Sequence, residues 1–121
     1  MSYKINFAEP FKEWWDTLER DLKKALLKQI GFLEHYGPHL SRPYADTLHD
    51  TTIANLKELR LKYQNQPYRI IYAFDPKREA LLLIGGNKAS SKRWYKQMIP
   101  KAEAIFNAHL QALREEQDNH D

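Results

Sequence analysis

Cysteine is absent from the 121 residues, so the chain has neither a disulfide framework nor thiolate chemistry. Glycine is scarce, and Gly85-Gly86 is not followed by a P-loop lysine and serine at the required spacing, which excludes that way of cradling a nucleotide. The histidines at 35, 39, 49, 109 and 120 show neither an HExxH pattern nor clustered-ligand spacing, so neither a metal nor a cofactor is expected. No apolar run approaches the roughly 20 residues that cross a bilayer, and Met1-Ser2-Tyr3-Lys4-Ile5-Asn6-Phe7 is too polar for a secretory leader. Taken with the missing cysteine, this favours a cytoplasmic protein with no membrane partner. Repeats and low-complexity tracts are also missing. A single domain over residues 1–121 is expected, with residues 116–121 as a frayed tail.

What the chain does have is segregated charge. The net charge of +3 is modest, but Lys57, Arg60, Lys62, Arg69, Lys77, Arg78, Lys88, Lys92, Arg93, Lys96 and Lys101 face only Glu58, Asp75 and Glu79 between positions 57 and 101. The tail reverses this with Glu115, Glu116, Asp118 and Asp121. A basic middle of this kind suits a polyanionic partner.

Hydrophobic periodicity supplies the elements. Residues 3–7 alternate as a strand, and Pro10 suits the first turn of a helix. Helical spacing then runs from Phe11 to Tyr36, where Asp16 and Glu19 resemble a capping box that would divide a short helix from a longer one. Gly37-Pro38 stops it, and residues 39–52 read as an irregular connection. Strands are expected at 55–61, 68–75 and 79–85, joined through residues 64–67 and a tight turn at 75–78, hence antiparallel. Leu81 to Ile84 is apolar on both parities, which predicts a strand covered on both faces. Ser90 or Ser91 is expected to cap a final helix, and Pro100 to kink or restart it.

Side chains alternate along a strand, so Glu58 and Arg60 share one face of the first strand, and Arg69 shares its parity with Ile71 and Ala73 in the second. If those faces coincide and stay open, a carboxylate sits between two guanidinium groups. A guanidinium is permanently charged and forks onto phosphate oxygens. RNA cleavage could follow: Glu58 takes the 2′-OH proton, the oxygen attacks the adjacent phosphorus, and Tyr95 or Lys88 protonates the departing 5′-oxygen. Lys57, Lys62, Lys92 and Arg93 are the flanking cations expected to hold RNA. Arg69→Ala is expected to abolish activity with the fold nearly unchanged. The plainer readings are a solvated Glu58–Arg60 pair, and Tyr95, Trp14 and Trp15 as core. Trp14 and Trp15 are adjacent on a helix, so one of them is expected at a partner surface.

Leu40-Ser41-Arg42-Pro43 with Asp46 and Leu48, Asn55-Leu56-Lys57-Glu58-Leu59-Arg60, Arg69-Ile70-Ile71-Tyr72-Ala73-Phe74-Asp75-Pro76, Gly85-Gly86-Asn87-Lys88 and Arg93-Trp94-Tyr95 together resemble the phage-derived, HigB-like branch of the RelE/ParE toxins. The resemblance implies an α+β fold: an N-terminal strand and helical hairpin, an antiparallel sheet of about four strands, and a C-terminal helix kinked near Pro100. It implies a toxin that cleaves mRNA on the ribosome without a metal and is neutralised by a HigA-like helix-turn-helix antitoxin. By position it implies catalytic roles for Glu58, Arg60, Arg69, Lys88 and Tyr95. Asn87 stands where this branch usually has Asp, and no Gly follows Lys88. The alternatives are a ParE-like inhibitor of DNA gyrase and a non-catalytic relative that binds nucleic acid or a partner.

Overall fold

Pro10 falls in the first turn of a short helix, where its missing N–H has no intrahelical acceptor to lose. The computed structural model describes residues 2–91 and 93–119, with Ser90 described by its backbone only. Strand β1 (Ile5–Phe7) leads into α1 (Glu9–Trp15), and α2 (Arg20–Tyr36) follows. The break between the helices agrees with the sequence, but the capping box does not form: Asp16 ends α1, and Glu19 precedes α2 without a side-chain cap bond. Helix α2 buries Leu22, Leu26, Ile30 and Leu33, one stripe at helical spacing. It stops at Gly37, whose φ of 57° and close contact with the Tyr3 ring leave no room for a side chain.

Strands β2 (Ala45–Thr47), β3 (Lys57–Tyr63), β4 (Gln66–Phe74) and β5 (Ala80–Asn87) complete a five-stranded sheet in the order β1-β5-β4-β3-β2. All neighbours are antiparallel except β1 with β5. The expected irregular stretch 39–52 thus contains β2, three residues too short to show a period. The β3–β4 turn is only Gln64-Asn65, with φ of 49° and 61°, while Gln66 and Pro67 already belong to β4. Two left-handed residues suit a tight hairpin turn whose twist matches the strands.

Cores lie on both faces of the sheet. Leu59, Ile70, Tyr72 and Leu82 pack under α1 and α2; Leu56, Ile71, Ala73, Leu81 and Leu83 pack under α3 (Trp94–Asp118). Helix α3 runs unbroken through Pro100, so no restart occurs there. Its N-cap is Arg93, without a side-chain cap bond; Ser91 Oγ accepts from the Arg93 N–H at 3.1 Å instead of capping the helix directly. Trp14 and Trp15 are both half-buried against the first core, so neither is a freely exposed partner anchor. The β4–β5 register slips between Ile71 and Tyr72, because Leu83 is an extra residue in β5. Beyond that bulge, Gly85 lies beneath the Trp14 ring on one face and Gly86 beneath Trp94 on the other.

Candidate active site

Arg60 and Arg69 are directly paired across β3 and β4, and Glu58 lies one pleat along the same face. That face is the one under α3, and the first turn of α3 brings Tyr95 down onto it. The Tyr95 hydroxyl donates to Glu58 Oε1 at 2.7 Å, and Arg69 Nε donates to the same hydroxyl at 3.3 Å. Arg69 Nε is also 3.5 Å from Glu58 Oε1, while Arg60 Nη1 donates to Glu58 Oε2 at 3.0 Å. Four of the expected residues therefore form one connected cluster.

The face is not open, contrary to the sequence expectation. Glu58 is 3% exposed and Arg69 7%, and the Tyr95 hydroxyl hydrogen-bonds to both. Both Glu58 oxygens are occupied, so the plain alternative of a solvated Glu58–Arg60 pair also fails. A buried carboxylate needs such partners, since an uncompensated charge there is destabilising. Nη2 of Arg69 and Nη2 of Arg60 have no partner among the described residues. These guanidinium groups line a groove of about 750 Å³ that also includes Arg42 and Lys62.

Lys88 follows β5 in a 3-10 turn, Lys88–Ser90, whose Asn87 cap accepts from the Ala89 N–H at 2.9 Å. Its Nζ lies 5.3 Å from the centre of the Tyr95 ring, within cation–π range. Burial first, then repulsion from Arg69, holds the Lys88 pKa below that of an ordinary lysine, with Glu58 opposing. Tyr95 is shifted the other way. Burial raises its pKa first, then its bond and proximity to Glu58, and Arg69 only partly offsets them. The hydroxyl is therefore neutral at pH 7.

The flanking cations divide. Lys62 is exposed on the site face and lines the groove, and Arg93 is exposed at the start of α3. Lys57 has the opposite parity and donates to the Pro38 carbonyl at 3.0 Å, so it lies on the far face from Glu58. Lys92 lies outside the described residues. Arg42 and Tyr44 were not singled out from the sequence, yet both line the groove; only the charge and the neighbouring Pro43 hinted at it. Among the described residues no group of three or more His, Asp or Glu side chains gathers in a way that could hold a metal. No described helix is long and apolar enough to cross a membrane.

The arrangement of sheet and helices is the RelE fold. The isolated Escherichia coli RelE toxin superposes with a TM-score of 0.57 at 15% identity, covering 80% of this chain and 96% of that one. The toxin–antitoxin complex RelBE2 from Mycobacterium tuberculosis matches at 0.56 and 16% identity, over 73% of this chain and 100% of that chain. Residues 13–107 match the family described as "Phage derived protein Gp49-like (DUF891)". Over 93 residues the chain is 44% identical to the Mycobacterium tuberculosis protein named "Putative toxin HigB3", covering 76% of this chain and 80% of that protein. It is 38% identical over 105 residues to "Putative toxin HigB2" from the same organism, covering 85% of this chain but only 52% of that relative. The chain belongs to the phage-derived Gp49-like family and is similar in sequence to HigB toxins, and its fold is that of RelE.

Proposed function

We propose that this chain is the toxin of a type II toxin–antitoxin pair, and that it stops translation by cleaving mRNA on the ribosome in a metal-independent reaction. The observation that carries the reading is the Glu58 carboxylate, shared between the Tyr95 hydroxyl and two guanidinium groups that line a basic groove. A gyrase inhibitor that only binds has no need of such a set.

Glu58 is too deeply covered to meet a 2′-OH directly, so it acts through Tyr95. The phenol oxygen accepts the 2′-OH proton as its own proton passes to Glu58 Oε1 along the 2.7 Å bond. The 2′-oxygen attacks phosphorus, Arg60 and Arg69 hold the phosphate oxygens, and the bond to the 5′-oxygen breaks. Lys88, with its lowered pKa, gives that oxygen a proton. The products are a 2′,3′-cyclic phosphate and a free 5′-hydroxyl. A neutral phenol suits this relay, because it has a proton to pass on.

The implied surroundings are the cytoplasm, the ribosome with its mRNA, and a neutralising antitoxin of the HigA-like helix-turn-helix kind. Induced expression is expected to arrest growth, with new mRNA 5′ ends inside reading frames by primer extension and cleavage of mRNA on purified ribosomes. Tyr95→Phe should slow single-turnover cleavage by about 10²-fold, the scale of general acid–base catalysis. Arrest with intact mRNA, or with DNA damage signalling and ongoing translation, would refute the nuclease reading.

A further inference from the structure

The basic groove does not end at the catalytic cluster. Strand β2 covers only Leu59 to Lys57 of β3, and the chain leaves the sheet where the Tyr44 carbonyl accepts from the Arg60 N–H at 2.8 Å. Past that point the groove wraps round the edge of β3, from the Arg60, Lys62 and Arg69 side to Arg42 and Tyr44. A second cavity of about 270 Å³ continues from Arg42 and Tyr44 to Phe32 and Tyr36. The edge thus has a row of cations on one side and a row of rings on the other.

Those rings are unusually available. Tyr44 is 42% exposed and Tyr36 51%, although most large apolar groups here are buried. Tyr44 is not loose: Phe32 supports it from behind with ring centres 4.9 Å apart. Arg42 is held beside it by Asp46, with Nε to Oδ2 at 2.9 Å and Nη2 to Oδ2 at 2.8 Å, and its guanidinium edge away from Asp46 stays exposed. A backed, exposed ring next to a positive groove is the arrangement that stacks a base while cations track the phosphates of a single strand.

We propose that Tyr44, backed by Phe32 and flanked by Arg42, is a second RNA subsite that stacks a base of the single strand flanking the cleaved linkage. It rests on the nuclease reading, and it assigns a role to an edge which that chemistry does not use. The charge favours RNA over a protein partner, because Arg42, Arg60, Lys62 and Arg69 line one continuous path.

The test is equilibrium binding of fluorescein-labelled oligoribonucleotides by the full chain, with a 2′-O-methyl group at the central linkage to prevent cleavage. A trinucleotide and a nonanucleotide are compared at fixed salt. Base–aromatic stacking contributes about 1–3 kcal/mol, so Tyr44→Leu should weaken the nonamer by roughly 5- to 150-fold and leave the trimer unchanged. Tyr44→Phe should behave as the wild type, and an abasic nonamer should erase the difference between wild type and Tyr44→Leu. Equal nonamer binding by wild type and Tyr44→Leu overturns the subsite. So does wild-type binding that does not grow with length, or a Tyr44→Leu defect confined to neutralisation by the antitoxin. Growth arrest and mRNA cleavage report the nuclease reading separately, so the two failures are distinguishable.

Discussion

The guanidinium of Arg69 lies 3.5 Å from the Glu58 carboxylate, and both groups are almost wholly withdrawn from water. Arg69→Ala would therefore leave a buried carboxylate with Arg60 as its only guanidinium, at a cost of about 3 kcal/mol in stability. The sequence expectation of an intact fold in that variant has to be revised, since strand parity reveals a shared face but not its burial. Arg69→Lys is the cleaner probe: it keeps the charge and loses the fork. It should melt close to the wild type yet cleave at least about tenfold more slowly, which thermal denaturation and single-turnover assays together would establish. Lys88 tests the opposite balance. Its folded pKa lies below its unfolded value of 10.5, so its favourable contribution is complete above that value and is lost as pH falls through the folded pKa. At neutral pH the charge therefore opposes folding. Lys88→Met should raise the melting temperature at pH 7, lose that advantage above pH 10.5, and cleave poorly. Glu58, Arg60, Arg69 and Tyr95 were legible from parity and helix position, whereas Lys57 was misjudged because charge along a sequence says nothing of which face it takes.

Among the elements, β5 controls the most. Gly86 is paired with Arg69, and a Cβ there would sit 2.6 Å from Trp94 Nε1. Gly86→Ala must push the indole, and with it the start of α3 and the Tyr95 hydroxyl. The expected cost is about 1–3 kcal/mol of stability with a disproportionate loss of cleavage, measured by denaturant melts beside kinetics. Gly31→Ala is the control: nothing lies within 4 Å of a Cβ in that exposed helical position. It should stabilise by about 0.5–1 kcal/mol and leave cleavage alone. Helices and long strands were readable because their apolar residues repeat. Strand β2 escaped because three residues cannot repeat, and the capping box failed because Glu19 itself stands just outside α2.

Over the whole molecule, two helical layers sandwich the sheet, and the site occupies the rim of the layer under α3. The opposite layer holds a liability. Tyr72 is fully buried, and its hydroxyl has no partner among the described residues. Burial first, and Glu58 second, raise its pKa well above 10.0. Both it and Tyr95 keep their proton longer when folded, so their contribution is intact below pH 10.0 and declines as pH climbs through the folded values. Tyr72→Phe should stabilise at pH 7 by about 1 kcal/mol, since an unsatisfied buried hydroxyl disappears, and should move base-induced unfolding upward in pH. Circular dichroism across a pH series would read both effects. The neighbouring order of β3, β4 and β5 follows from short connections and was legible, whereas the parallel place of β1 beside β5 was not. The aromatic edge at Tyr44 was not, because it arises only where a three-residue strand stops short of its neighbour.

The extra residue Leu83 sets which face of the sheet each later side chain of β5 takes. Because it adds one step to β5, Ile84, Gly86 and then Lys88 turn toward α3, and the ammonium arrives over the Tyr95 ring. A β5 that kept Leu83 but paired with β4 residue for residue, without the bulge, would still zip the strands together in the same succession. Its last cation would then point toward the helical hairpin, leaving a folded but disarmed protein.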